Sequence, residues 1–432
     1  MKLKQYSKYR DSGVQWIGKI PQDWESYRLK HVVNEFISGG TPSSDNEKFW
    51  TNNEDEKGIP WIAIGDMTNN EVILNTERRL TLDGLAEKGL KILKKGTIIY
   101  SIFASLGKVS VLGINSTTNQ AILGLIISKK IDNSYLKYYL RNLEETIIAL
   151  SNANTQNNLN STIVKNIQLA IPQNLEEQIQ IADFLNDKLS ELNLLIEKDK
   201  FLIELLKERR IALINHAVTK GLNPKVKLIE SGTEWIGKMP EHWEIKKIKF
   251  FTKEKRIKST EMDKSGFFIG LENIESISGK LISYNSTENL EGESIKFRKN
   301  DVLFCKLRPY LAKVIVAEID GFCTSELIIY EGNKDTYSNY LKYRLLSKQY
   351  IDYINSLTEG VKMPRADPIQ LSNIKLPMPP KAEQIQIADF LDKATAKIDL
   401  TISKVESKIE LLEEYKKSII HNVVTGKVDV KQ

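Results

Sequence analysis

The sequence predicts an α+β protein: two α+β domains in tandem, each followed by a long apolar-striped helix. Three observations predict it. The nonapeptide Glu-Gln-Ile-Gln-Ile-Ala-Asp-Phe-Leu stands at residues 177–185 and again at 383–391, 206 residues later. A leading segment, Ser12-Gly-Val-Gln-Trp-Ile-Gly-Lys-Ile-Pro-Gln-Asp-Trp-Glu25, returns at 231–244 with an offset of 219. Between these matched ends the two copies differ in content and, by 13 residues, in length. A kept frame around a changed filling is the mark of a duplication whose working surfaces have diverged.

Composition sets the class. At 432 residues the chain is too long for one ordinary core and suggests two or three domains. With 41% hydrophobic and 27% charged residues it reads as a soluble globular protein. No apolar run approaches the roughly 18 residues of a membrane span, and no apolar region follows the basic start, so no membrane association and a cytoplasmic location are expected. Cys305 and Cys323 cannot build a disulfide framework, and His31, His216, His242 and His421 have no metal-ligand spacing, so no metal is expected. A net charge of +6 is compatible with a polyanionic partner without demanding one.

In chain order, the tryptophans of the leading segments (Trp16, Trp24, Trp235, Trp243) are read as anchors of those segments onto each domain. In the first domain, Gly58 to Asp66, Gly96 to Ile102 and Gln120 to Ile127 read as short strands bounded by Gly and polar residues, with a helix near 135–150. The second runs in parallel: strands at 266–271, 301–305, 313–317 and 326–330, then a helix near 337–354.

After each nonapeptide, steps of three and four trace a seam. The first is Ala182, Leu185, Leu189, Leu192, Ile196, Asp199, Ile203, Leu206, Arg210, Leu213 and Ala217; the second is Ala388, Leu391, Thr395, Ile398, Ile402, Val405, Ile409, Leu412, Lys416, Ile419 and Val423. A 3.5-residue apolar period kept over about five heptads suits two helices packed as a supercoil. The alternative is that each helix packs on its own domain. Asn174 and the Pro379-Pro380 pair fit the helix starts, Gly221 and Gly426 the stops.

Polar loops interrupt the strands where contacts to a nucleic acid would fall: Gly39-Gly-Thr-Pro-Ser-Ser44, Ala104-Ser-Leu-Gly-Lys108, Thr117-Thr-Asn-Gln120, Lys306-Leu-Arg-Pro-Tyr310 and Val361-Lys-Met-Pro-Arg365. From these the DNA-contacting candidates are Thr41, Ser43, Ser105, Lys108, Asn119, Gln120, Lys306, Arg308, Tyr310, Lys362 and Arg365. Arg bonds guanine edges in pairs, Asn and Gln do so to adenine, and Lys and Ser suit phosphate. Ordinary solvated turns would carry the same residue types.

Catalytic motifs are only approached. The spacing of Gly13 to Lys19 and of Gly232 to Lys238 fits a phosphate loop, but Ile20 and Met239 replace the magnesium-binding hydroxyl and Pro21 and Pro240 block the expected helix. Pro240, Glu241, Glu244 and Lys246 loosely match a metal-dependent nuclease, and Tyr27 breaks the match in the first copy. Met378-Pro-Pro-Lys381 has neither the Asn nor the aromatic of an amino-methyltransferase motif. No catalytic residue is assigned.

With these parts in order, nearly the whole chain resembles the specificity (S) subunit of a type I restriction-modification system. Its most specific parts are Gly39-Gly-Thr-Pro42, Pro60-Trp-Ile-Ala-Ile-Gly-Asp66, Gly107-Lys108 with Thr118-Asn-Gln120, Lys306-Leu-Arg-Pro-Tyr310 and the doubled nonapeptide. The resemblance implies a first target-recognition domain at 1–175, a spacer helix at 176–221, a second target-recognition domain at 222–381, and a second helix with a C-terminal tail at 382–432. It implies that the two helices form an antiparallel coiled coil and dock other subunits, through Gln178, Ile181, Leu185, Leu192, Ile196, Leu206, Gln384, Ile387, Leu391, Ile398, Ile402 and Leu412. The partners implied are double-stranded DNA, two methylation (M) subunits and, in the full complex, two restriction (R) subunits. Catalysis would belong to those partners, so the chain would bind no cofactor, neither S-adenosylmethionine nor ATP. The rival classes are a DNA-binding nuclease and a coiled-coil scaffold with two protein-binding heads.

Overall fold

The computed structural model describes every residue except 1–3, 53–54, 69, 104, 153–158, 160, 256–257, 260–265, 287–293, 359–361 and 432. Ala104 and Val361, which open two of the loops singled out above, thus lie outside the described residues. The chain forms two compact units, residues 1–198 with 408–432, and residues 199–407.

Two long helices, Leu175–Lys220 and Lys381–Val424, each contribute one part to each unit. Their ends follow local chemistry. The Asn174 side chain accepts the Glu176 amide at 2.9 Å, and the Pro380 carbonyl accepts the amides of Glu383 and Gln384 at 2.9 and 3.0 Å. Gly221 and Gly426 close the helices at φ +73° and +71°, a left-handed conformation that a Cβ would strain. Among the described residues no helix is long and apolar enough to cross a membrane.

Every position of both seams is buried or half-buried. In the first unit Ile181, Ala182, Leu185, Leu189 and Leu192 share a core with Ile419, Val423 and Val424. In the second, Ile214, Ala217 and Val218 share one with Ile387, Ala388 and Leu391. Beginning meets end in both, so the two helices pair antiparallel. The same cores hold Tyr135, Tyr139 and Leu169 in one unit and Tyr340, Leu341 and Leu376 in the other. Each stripe therefore serves the neighbouring helix and its own domain at once, and the two readings of the seam are both true.

This double packing places six of the residues named for the coiled coil and docking inside the seam. Gln178, Ile181, Leu185, Gln384, Ile387 and Leu391 are at most 1% exposed. They have no side-chain surface to offer another subunit. The two glutamines are instead joints. Gln178 accepts the Asp132 amide and donates to the carbonyls of Lys130 and Pro172. Gln384 accepts the Tyr337 amide and donates to those of Asp335 and Pro379. Leu192, Ile196 and Ile398 are buried too, and Leu206, Ile402 and Leu412 are half-buried.

In the first unit a five-stranded sheet runs Val33–Ser38, Ile122–Ile127, Ile98–Ser101, Val109–Leu112, Val72–Ile73, and a four-stranded sheet runs Thr117–Thr118, Ile59–Ile62, Arg78–Leu80, Trp50–Thr51. In the second unit the four strands Thr252–Lys255, Leu327–Gly332, Val302–Cys305, Val314–Val316 repeat the first four places of that five-stranded sheet, all antiparallel. Its other sheet holds Phe267–Ile269 parallel to Gly321–Thr324, as Ile59–Ile62 is parallel to Thr117–Thr118. The two domains share these parts of their topology and differ at the sheet edges, where the first has Val72–Ile73 parallel to Val109–Leu112.

Three elements differ from the sequence reading. The run 58–66 is a strand only over Ile59–Ile62 and then turns into a short helix, Ile64–Met67, because the Asp66 carboxylate accepts the Ala63 amide at 2.8 Å and caps it. The helix expected near 135–150 is two, Asn133–Asn142 and Glu144–Asn152. The helix expected near 337–354 is Ser338–Leu346 and Lys348–Leu357, broken where Ser347 is extended at φ −61°, ψ 136°.

Candidate nucleic-acid interface

In each unit the leading segment is a short antiparallel hairpin, Tyr9–Asp11 with Lys19–Pro21 and Leu228–Glu230 with Lys238–Pro240. The indole N–H of Trp24 donates to Glu177 at 3.0 Å, and that of Trp243 donates to Glu383 at 3.1 Å. Each indole thus ties its domain to the first turn of the following helix. The phosphate-loop spacing is spent in the turn itself: the Gly18 amide donates to the Val14 carbonyl at 2.9 Å and the Ser12 amide to the Gly18 carbonyl at 3.0 Å. Of the nuclease-like set, Glu244 pairs with Lys246 and Glu241 with Lys227.

In the first domain the loop after Ser38 is held close. Gly39 lies so near the Thr118 carbonyl that a Cβ would stand 2.1 Å from it, and the Gly40 amide donates to the same carbonyl at 2.9 Å. Two indoles fix the rest: Trp61 donates to the Gly40 carbonyl and Trp50 to the Ser43 carbonyl, both at 2.9 Å. The Thr41 hydroxyl meets the Gln120 side-chain oxygen at 2.5 Å, so two of the loops singled out in the sequence come together. Ser43 is exposed beside them. Asn119 spends its side-chain oxygen on the Ala121 amide at 3.0 Å, which shapes the turn that presents Gln120.

Lys108 is placed elsewhere. Its ammonium pairs with Glu144 at 2.7 Å, in a groove of about 580 Å³ that Arg141, Lys417 and His421 also line. Burial and, after it, the positive charge of Lys427 hold the His421 ring below its ordinary pKa. Ser105 contributes its carbonyl, which accepts the Ser101 hydroxyl.

Sequence reasoning missed Arg78 and Trp50. Trp61 and Arg78 face each other across paired strands, and Trp50 pairs with Leu80, two residues along the same face from Arg78. The two indoles pack edge to face at 5.0 Å, with the Arg78 guanidinium 3.5 Å from the Trp50 ring centre. No local spacing signals this, because the three residues come from three strands.

In the second domain the two loops singled out form one paired ridge. The Arg308 amide donates to the Pro364 carbonyl at 2.8 Å, the Ala366 amide to the Lys306 carbonyl at 2.9 Å, and Leu307 bridges to Arg365. Arg308 and Ala312 both take left-handed conformations, at φ +50° and +44°, at the two ends of the turn Pro309–Leu311. Non-glycine residues held there are strained, and such strain gathers at functional sites. Arg308 is exposed, and neither it nor the half-buried Lys306 nor the exposed Lys362 has an ion-pair partner among the described residues. Arg365 is paired with Glu326 at 2.8 Å. Tyr310, 48% exposed, lines an apolar pocket of about 200 Å³ with Ile211, Ile214 and Ile351.

Comparison with known proteins bears on what this frame is. The family model described as the type I restriction modification DNA specificity domain matches residues 21–205 and again 240–411. The putative type I restriction enzyme MjaX specificity subunit of Methanocaldococcus jannaschii is 27% identical, with 99% of each chain covered. The MjaIX specificity subunit of the same organism is 30% identical over 54% of this chain, and the match takes in only about half of that protein, 52%. The EcoDI specificity subunit of Escherichia coli is 21% identical over 95% of this chain and 90% of its own. Among solved structures, the HsdS subunit from Thermoanaerobacter tengcongensis gives a TM-score of 0.58 at 13% identity, covering 95% of this chain and 98% of that one. A chain from a structure on complex assembly and conformational transition of the type I R-M system gives 0.68 at 13% identity, covering 94% and 98%. At such identities the structures speak for the fold alone. The two family matches each take in one α+β domain and part of the helix that follows it, and the chain belongs to the specificity subunits of type I restriction-modification systems.

Proposed function

We propose that this chain reads an interrupted, asymmetric double-stranded DNA sequence, one half-site per domain, while methylation and restriction subunits carry the chemistry. The observation that supports this reading is a contrast. The frames repeat down to single hydrogen bonds, Trp24 to Glu177 against Trp243 to Glu383 and three bonds from Gln178 against three from Gln384. The loops they present do not: one domain offers tryptophans, an arginine and Gln120, the other a basic ridge with Lys306 and Arg308. Different surfaces on one scaffold suit two different half-sites.

The domain limits proposed are 1–175 and 222–381, with the helices at 176–221 and 382–432. In the first domain Thr41, Ser43 and Gln120 form the contact group, with Asn119 supporting Gln120 and with Ser105 and Lys108 as contacts apart from it. In the second, Lys306, Arg308, Tyr310 and Lys362 form it, with Arg365 oriented by Glu326. Two methylation subunits, adenine-directed and using S-adenosylmethionine, and two restriction subunits, ATP-dependent, complete the assembly in the cytoplasm. The exposed sides of the long helices, where Leu194, Phe201 and Leu400 are more than half exposed, are left for them.

Exchange of residues 26–172 for the equivalent part of a relative tests the proposal. Mapping of methylated adenines in cells carrying the hybrid is expected to show one half-site changed and the other kept. A change in both would refute the assignment of one half-site per domain.

A further inference from the structure

Arg78 is an exposed side chain held in one place by its surroundings. Its guanidinium carbon lies 3.5 Å from the ring centre of Trp50 and 5.6 Å from that of Trp61. Neither ring can swing away easily, because each indole N–H is bonded to a loop carbonyl, Ser43 for Trp50 and Gly40 for Trp61, and the two rings brace each other at an interplanar angle of 90°. Arg79, next in the chain, spends its guanidinium on the Gly58 carbonyl at 3.1 Å. Arg78 makes no ion pair or side-chain hydrogen bond among the described residues, so its donors face solvent.

A guanidinium stacked on an aromatic face keeps its in-plane N–H groups free. Those groups match the two acceptors, O6 and N7, on the major-groove edge of guanine. The rings that carry Arg78 also pin the loop bearing Thr41, which meets Gln120. Resting on the reading of DNA proposed above, we infer that Arg78 is a specificity-determining residue that selects a guanine in the half-site of the first domain, with Trp50 as its positioning residue.

The test uses the full-length protein and selection of bound sequences from a randomised duplex library. Arg78→Lys keeps the charge and loses the fork; Trp50→Leu keeps the fork and loses the stack. Both are expected to reduce the preference for guanine at one position by about tenfold to a hundredfold, leaving the other half-site unchanged. The slope of log affinity against log salt is expected to stay the same for Arg78→Lys. Retention of the guanine preference in Arg78→Lys overturns the inference, and so does an equal loss for all sequences in Arg78→Ala, which would make Arg78 a phosphate contact. Absence of any preference in the unaltered protein, at either half-site, would instead strike the DNA-reading function itself. Arg78 is exposed, so all Arg78 variants should fold, which circular dichroism checks.

Discussion

Replacing Gln384 by Met tests whether the glutamine joints hold the domains to the long helices. The change keeps most of the side-chain volume, so the cavity term is small. It strands three backbone groups: the Tyr337 amide, bonded at 2.9 Å, and the carbonyls of Asp335 and Pro379, at 3.0 and 2.8 Å. The Pro379 bond is fully enclosed, and leaving such a group unpaired costs about 1–3 kcal/mol. The other two lie nearer the surface, where a lost bond costs roughly 0.5–1.5 kcal/mol each. The sum is roughly 2–6 kcal/mol. At about 2–4 °C per kcal/mol for a unit of this size, the second unit is expected to melt roughly 4–24 °C lower. Urea unfolding and amide exchange provide the assay, with the Tyr337 amide losing protection first. Gln178→Met should act alike through the Asp132 amide. A loss below about 1 kcal/mol in both, with Tyr337 still protected, would refute the view that these side chains are structural joints.

Other outcomes follow from the same geometry. Arg210 donates to the carbonyls of Ile277 and Ser278 and lies 3.2 Å from Asp399, which also holds Lys280 at 2.7 Å. A double-mutant cycle of Arg210→Met and Asp399→Asn is expected to show coupling of about 1–3 kcal/mol, and additivity within about 0.3 kcal/mol would argue against it. Gly39→Ala should destabilise the first unit by at least about 1–3 kcal/mol and weaken DNA binding, since the new Cβ must displace the Thr118 carbonyl; unchanged chemical denaturation would contradict this. If Arg308 reads a base, Arg308→Ala should weaken cognate binding by about 1–3 kcal/mol, whereas Lys306→Ala should lower affinity for every sequence and flatten the salt slope; filter binding over a salt series separates them. Burial raises Tyr135, Tyr139, Tyr340 and Tyr350 above the ordinary tyrosine value and pushes Cys323 up to about 12. Their protonated forms favour the folded state, so the stability they add is complete below the unfolded thiol's value near 9, falls first through Cys323, and falls more steeply as pH passes the tyrosine value near 10. Thiol reagents at pH 8 should label neither cysteine before unfolding, and prompt labelling would show that the burial is wrong.

Much of the frame was legible in the sequence because it rests on short-range periodicity. The nonapeptides, the seams, Asn174 before one helix and Gly221 and Gly426 after the two are local codes, and local codes survive without knowledge of the fold. Exact repetition of Trp24 and Glu177 as Trp243 and Glu383 also marked which residues the duplication keeps. What repetition could not say is why they are kept. The resemblance named Gln178 and Gln384 for the coiled coil and docking without saying what their polar atoms bond; only the domain packed behind them turns those atoms onto three backbone groups each. The binding surface was least legible. Loops 39–44 and 117–120 were found as polar turns, yet their meeting through Thr41 and Gln120, and the gathering of Trp50, Trp61 and Arg78 from three strands, depend on strand register, which residues far apart decide together. By itself the sequence determined the duplication, the helices and the segments worth watching, since these depend on neighbours within a few turns of chain. Tertiary structure alone decided which of those side chains face solvent with donors free and which are spent inside, because that is settled by contacts between segments the sequence leaves unordered in space.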